Sequence, residues 1–146
     1  MEVVNTLDID GTQWVLQDAE ARNKIAVIEN NQIPIALEDT PITLKSGYTA
    51  LSAKFYRHYK VGKIHFAMVS IMNIAGAQIG TTESAACGTI PFKPFKITSF
   101  MLFDYINAKI ARCSIDEEGT FYLSESNDVV QGNNCLYGEA IWVERE

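Results

Sequence analysis

One run of this sequence is apolar in both parities, and that restricts what can surround it. Between Thr98 and Ile106 the residues alternate as in a strand. Phe100 and Leu102 fall on one face, Met101, Phe103 and Tyr105 on the other. An antiparallel sheet ordinarily buries one face and wets the other, which gives apolar/polar alternation. A strand apolar on both faces needs cover on both. The cover is either another copy of the chain or the chain's own loops and helix.

Two further runs repeat the pattern. In Gly62 to Met72, the residues Ile64, Phe66 and Met68 alternate with His65, Ala67, Val69 and Ile71. In Cys135 to Val143, Leu136, Ala140 and Trp142 share one face, and Tyr137, Ile141 and Val143 the other. Three such strands favour self-association over a single oddity. Further strands are expected at Thr40 to Lys45, Ala50 to Tyr59, Ala108 to Ile115 and Thr120 to Leu123, the last two joined by the turn Asp116-Glu117-Glu118-Gly119. Asn73 to Gly88 and Ser124 to Asn134 read as loops. Short strands with turn signals between them fit an antiparallel β-sandwich of jelly-roll kind.

The N-terminal part reads differently. Asp10-Gly11, flanked by alternating residues, specifies a two-residue hairpin from Thr6 to Leu16, since Asp-Gly suits a type I′ turn. Asp18 caps a helix from Ala19 to Asn30, in which Ala21, Ile25 and Ile28 form a short heptad-like stripe. That stripe packs on the chain's own sheet or begins a bundle of identical helices. Pro34 and Pro41 bracket a non-helical connection. The domains are therefore residues 1–34, a hairpin-plus-helix module for attachment or trimerisation, and residues 35–146, a β-sandwich head.

Net charge is −6, and the densest basic run, Lys54, Arg57, Lys60 and Lys63, is scattered along strand and turn positions. Nucleic-acid binding, which neutralises phosphates with clustered cations, is not expected. No stretch approaches the ~20 apolar residues of a membrane span, and no signal peptide is expected, so the chain reads as soluble and made in a cytoplasm. Cys87, Cys113 and Cys135 have no metal-ligand spacing and read as buried thiols. No metal or other cofactor is expected.

Catalysis needs a nucleophile or an acid/base pair with supporting groups, and none can be assembled. His58 and His65 read as surface or interface residues. Asp104, set among Met101, Phe103 and Tyr105, is the acid whose surroundings matter most: buried, its pKa would rise, and paired, it would fix a subunit contact. For saccharide recognition, the loop Ser124 to Asn134 offers Asn127, Asp128, Gln131, Asn133 and Asn134 to bond hydroxyls. Tyr137 beside it offers a ring to stack, with Tyr105 and Tyr122 as weaker candidates.

The opening run LDIDGTQWVLQDAEARNKIAVIE resembles a short module of phage tail-fibre and minor structural proteins, carried by Ile9, Gly11, Thr12, Trp14, Asp18, Ala19, Ala21 and Arg22. The second half is similar to the head domains of such fibres, through Gly88, Thr89, Ile90, Pro91, Phe92, Pro94, Gly119, Thr120, Tyr137, Gly138 and Trp142. The resemblance implies a homotrimeric tail-fibre or baseplate receptor-binding protein of a phage or prophage, located in the virion tail. It would contact other tail or baseplate proteins and a saccharide on the host surface. Ala21, Ile25, Ile28, Met101, Phe103, Tyr105 and Trp142 are then candidates for the trimer interface. The alternatives are a trimeric binding module of the tumour-necrosis-factor-like kind, and a small sugar-acting β-sandwich enzyme.

Overall fold

The computed structural model describes residues 6–9, 12–15 and 33–145. The chain divides into two compact units, Met1–Ile33 and Pro34–Glu146. In the first, β1 (Thr6–Ile9) and β2 (Thr12–Val15) pair antiparallel, with Ile9 opposite Thr12. The expected helix, with Ala21, Ile25 and Ile28, lies outside the described residues.

The second unit is mainly antiparallel β. Its strands in chain order are β3 (Ile35–Leu37), β4 (Thr40–Pro41), β5 (Thr43–Leu44), β6 (Tyr48–Thr49), β7 (Ser52–Val61), β8 (Ile64–Met72) and β9 (Ala75–Gly76). They continue with β10 (Ala85–Thr89), β11 (Thr98–Asp104), β12 (Lys109–Ile115), β13 (Thr120–Ser124) and β14 (Cys135–Val143). Ten of them form one sheet in the order β3-β7-β8-β14-β11-β12-β13-β10-β5, with β4 also on β7, while β6 and β9 make a small separate ribbon.

The mainly antiparallel β architecture is as expected, while a division into two facing sheets of a sandwich is not shown. The single large sheet curls into a half-barrel. The curl is visible in the core: Phe55 of β7 meets Phe121 of β13 edge-on, with ring centroids 6.5 Å apart, although four strands separate β7 from β13 in the sheet. The segment from Thr40 to Leu44 then bridges the two ends, because β4 pairs with β7 and β5 with β10. Ile42, between them, donates its N–H to the Ala53 carbonyl at 2.9 Å.

Inside the curl sit Phe55, Val69, Ile71, Leu102, Ile115, Phe121, Leu123 and Leu136, all fully buried. Burying one such side chain contributes roughly 1.5–3 kcal/mol, so this interior supplies most of the driving force. β10 falls within the stretch read as a loop. At Gly88 the bridging segment lies too close for a side chain: a Cβ there would sit 2.7 Å from Ile42 Cγ2 and 3.0 Å from the Thr43 carbonyl oxygen. The acidic turn at Asp116 forms as expected. Gly119 adopts φ 82°, and the Asp116 carboxylate accepts from the Thr120 N–H at 2.7 Å and the Glu118 N–H at 3.0 Å.

Candidate functional site

The outer face of the half-barrel is the first candidate. β8, β14 and β11 lie side by side, and pairing aligns Ile64 with Val143, Phe66 with Ile141 and Tyr137 with Phe103. Every one of these side chains is exposed. Met101 and Phe103 belong to this field at 54% and 49% exposure, and Tyr105, in the turn beyond β11, is 76% exposed. The parities read from the sequence hold, with Leu102 turned in and Met101 and Phe103 turned out. Trp142 is placed elsewhere. It is 2% exposed, inside the core, so its ring is not offered to another copy. A contiguous apolar surface of this kind marks an interaction site more often than a bare monomer face.

The loops at one end form the second candidate. Here the turn after β11 is tied to the loop before β14. The Asn107 side-chain amide donates to Asp104 Oδ2 and to the Asn133 carbonyl, both at 2.7 Å. Asp104 is buried, and burial alone would raise its pKa. Hydrogen bonds from the Asn107 side chain and from the backbone N–H groups of Cys135, Ile106 and Asn107 reverse this and hold it below the usual carboxylate range. The expected upward shift is thus overturned, because donors surround the charged form.

Of the loop residues singled out for saccharide contact, Asn127, Asp128, Gln131 and Asn133 are exposed. Asp128 lies 3.7 Å from Lys109 Nζ, and Gln131 Oε1 accepts from the Gly76 N–H at 3.2 Å. Asn134 is fully buried. Its amide clamps the backbone, accepting from the Ile74 N–H at 3.1 Å and donating to the Ile74 and Val130 carbonyls at 2.9 and 2.7 Å. It holds the loop rather than facing solvent. Tyr137 lies on the outer face of the sheet, opposite Phe103, and Tyr122 donates its hydroxyl to Asp116 Oδ2 at 3.1 Å.

A third cluster is one that the sequence reading placed wrongly. His58 and His65 are each 1% exposed, with Nε2 of one and Nδ1 of the other 2.8 Å apart. His65 stacks on Trp142, with centroids 4.9 Å apart and planes at 11°, while Phe92 meets His58 edge-on at 5.0 Å. His65 Nε2 lies 3.3 Å from Glu144, which also binds Lys60. Glu144 is held below the usual range, by Lys60 above all and then by His65. An ionised Glu144 fixes the tautomers: His65 donates from Nε2 and accepts at Nδ1 from His58. That leaves His58 Nδ1 buried with no partner among the described residues, as is Trp142 Nε1. A proton on His58 Nδ1 would have no acceptor. Burial first, then His65, push His58 down to about 4, against an upward pull from Glu144. His65 is lowered as well, chiefly by burial.

Among the described residues there is no grouping of three or more His, Cys, Asp or Glu fit to hold a metal ion. The cysteines are free and buried, as expected. No helix among the described residues is long and apolar enough to cross a membrane.

The fold is shared with a phage receptor-binding protein. The crystal structure of the receptor binding protein (gp15) of Listeria phage PSA matches this chain with a TM-score of 0.53 at 16% identity, over 91% of this chain and 82% of that one. At that identity the likeness is one of architecture. No family model and no curated protein matches the sequence.

Proposed function

We propose that the chain is a structural protein of a phage or prophage tail, a fibre or baseplate component that binds the host surface. The observation that carries this reading is the fold shared, over nine-tenths of the chain, with a protein described as a receptor binding protein. The exposed apolar face formed by β8, β14 and β11 supports assembly into a homotrimer, since three copies packed through it remove that surface from water. The exposed groups of Asn127, Asp128, Gln131 and Asn133 suit a saccharide, whose hydroxyls need a fan of donors and acceptors. Three weak sites on one trimer then bind a cell together, because the second and third contacts form at high effective concentration. Neighbouring tail or baseplate proteins are the other partners in this reading, and the action is adhesion without turnover.

The test is binding of the purified protein to whole host cells. Replacing Asp128 and Asn133 together with Ala abolishes binding and leaves the mass by light scattering unchanged. Retained binding would remove the loop from the receptor site.

A further inference from the structure

Two charges on the outer face have no partner within the described residues. Arg57 emerges from an irregularity in β7, where the pairing with β8 skips from Tyr56–Met68 to Tyr59–Phe66. Its backbone is held at φ 47°, a left-handed conformation that side chains other than Gly and Asn seldom adopt. Glu139 stands on β14, directly across from Met68. Both line one shallow depression of about 230 Å³, floored by Phe66, Met68 and Ile141.

They do not reach each other. β8 runs between β7 and β14, and two strand spacings of ~4.8 Å put their backbones roughly 10 Å apart. The other cations of β7 are satisfied, Lys54 lying 2.5 Å from Asp39 and Lys60 binding Glu144, and on β12 Arg112 lies 3.2 Å from Glu125. Among the described residues Arg57 and Glu139 are thus opposite charges left single beside the apolar side chains of Phe66, Met68 and Ile141.

What covers the field decides whether these charges are tolerated. A wholly apolar partner would desolvate both with nothing in return, which is a severe penalty. A saccharide is too small to cover an apolar surface that spans several strands. A second copy of the same face brings an Arg to the Glu and a Glu to the Arg. We infer that Arg57 of one copy pairs with Glu139 of its neighbour, so that this ion pair sets the register of self-association across the β7–β8–β14 face. Around the threefold axis of a trimer each contact is heterologous and holds one such pair, so a copy gives its Arg57 to one neighbour and its Glu139 to the other. The inference rests on the self-assembly reading above and adds the residues that select it.

The experiment is light scattering on a sizing column across a concentration series. It uses the full chain as wild type, Arg57→Glu, Glu139→Arg and the double reversal, with circular dichroism to confirm folding. Each single reversal sets like charges against each other and shifts the assembly midpoint at least tenfold towards monomer, and the double reversal restores the wild-type mass. Arg57→Asn and Glu139→Gln form a milder pair, since Asn tolerates the left-handed backbone, and each weakens assembly less than its reversal does. A wild-type oligomer indifferent to both reversals, or a folded double reversal that stays dissociated, overturns the ion pair alone. A wild-type monomer at every concentration overturns the ion pair and the self-assembly reading together.

Discussion

Acidification to pH 5 strikes the core of this protein at His58. Its imidazole titrates at about 4 in the folded chain, against an ordinary 6.5 once unfolded. A lowered His pKa means that the unfolded chain binds more protons between these values, so stability is complete above about pH 7 and falls as the pH drops. One pKa unit corresponds to ~1.4 kcal/mol, so the shift removes ~2 kcal/mol at pH 5 and ~3 kcal/mol below pH 4. His65 is shifted the same way and adds to the loss. The assay is urea unfolding at pH 7.5, 6 and 5, for wild type and for His58→Gln, whose amide N–H can still donate to His65 Nδ1. Carboxylates that titrate at lower pH contribute alike to both proteins and cancel. The wild type is expected to lose ~2 kcal/mol more than the variant between pH 7.5 and pH 5. Parallel pH profiles would refute the tautomer argument and the burial of an unpartnered Nδ1.

Two further substitutions probe the sheet directly. Asp104→Ala leaves the Cys135 N–H without its acceptor and takes from the Asn107 side-chain amide one of its two, and is expected to cost ~2–4 kcal/mol, read from the urea midpoint at pH 7. Because the Asp104 pKa is lowered, its contribution is complete above about pH 4 and lost as the pH falls below that, so the gap between wild type and variant narrows in acid. Gly138→Ala puts a Cβ 2.3 Å from the Met101 carbonyl oxygen and 2.7 Å from Leu102 Cδ2, and is expected to cost ~1–3 kcal/mol as a lowered thermal midpoint.

Local patterning made the strands legible, and long-range closure did not. Cys135–Val143 can be bounded from alternation alone, because every second residue points into the core. The pairing of Thr6–Ile9 with Thr12–Val15 follows from the Asp10-Gly11 signal by the same local logic. The curl is another matter. It depends on Thr40–Leu44 meeting β7 on one side and β10 on the other, and β10 has no aromatic and only Thr89 as a β-branched residue to announce a strand. His58 escaped because parity counts from Phe55 put it on the outer face, and the irregularity at Arg57 inserts the residue that turns it inward. Nothing in the local residue types signals that insertion. At the candidate site, the exposed loop amides were legible as polar positions. Asn134 was not separable from them, since only the fold reveals that its amide replaces a backbone partner for Ile74. Phe66 and Ile141 carried the same two-faced signal as Met101 and Phe103, and belong with them.

The bridging segment from Thr40 to Leu44 also governs how copies of this protein can meet. A long strand with bare amides and carbonyls at a sheet margin is a template for another chain, and very short margin strands are one way to blunt it. Here β3 and β4 occupy the free side of β7, and β5 that of β10, each only two or three residues long. Polymerisation by backbone addition is thereby discouraged at both margins. Association is left to side chains packing on the outer face, where a single substitution can retune which copies recognise one another.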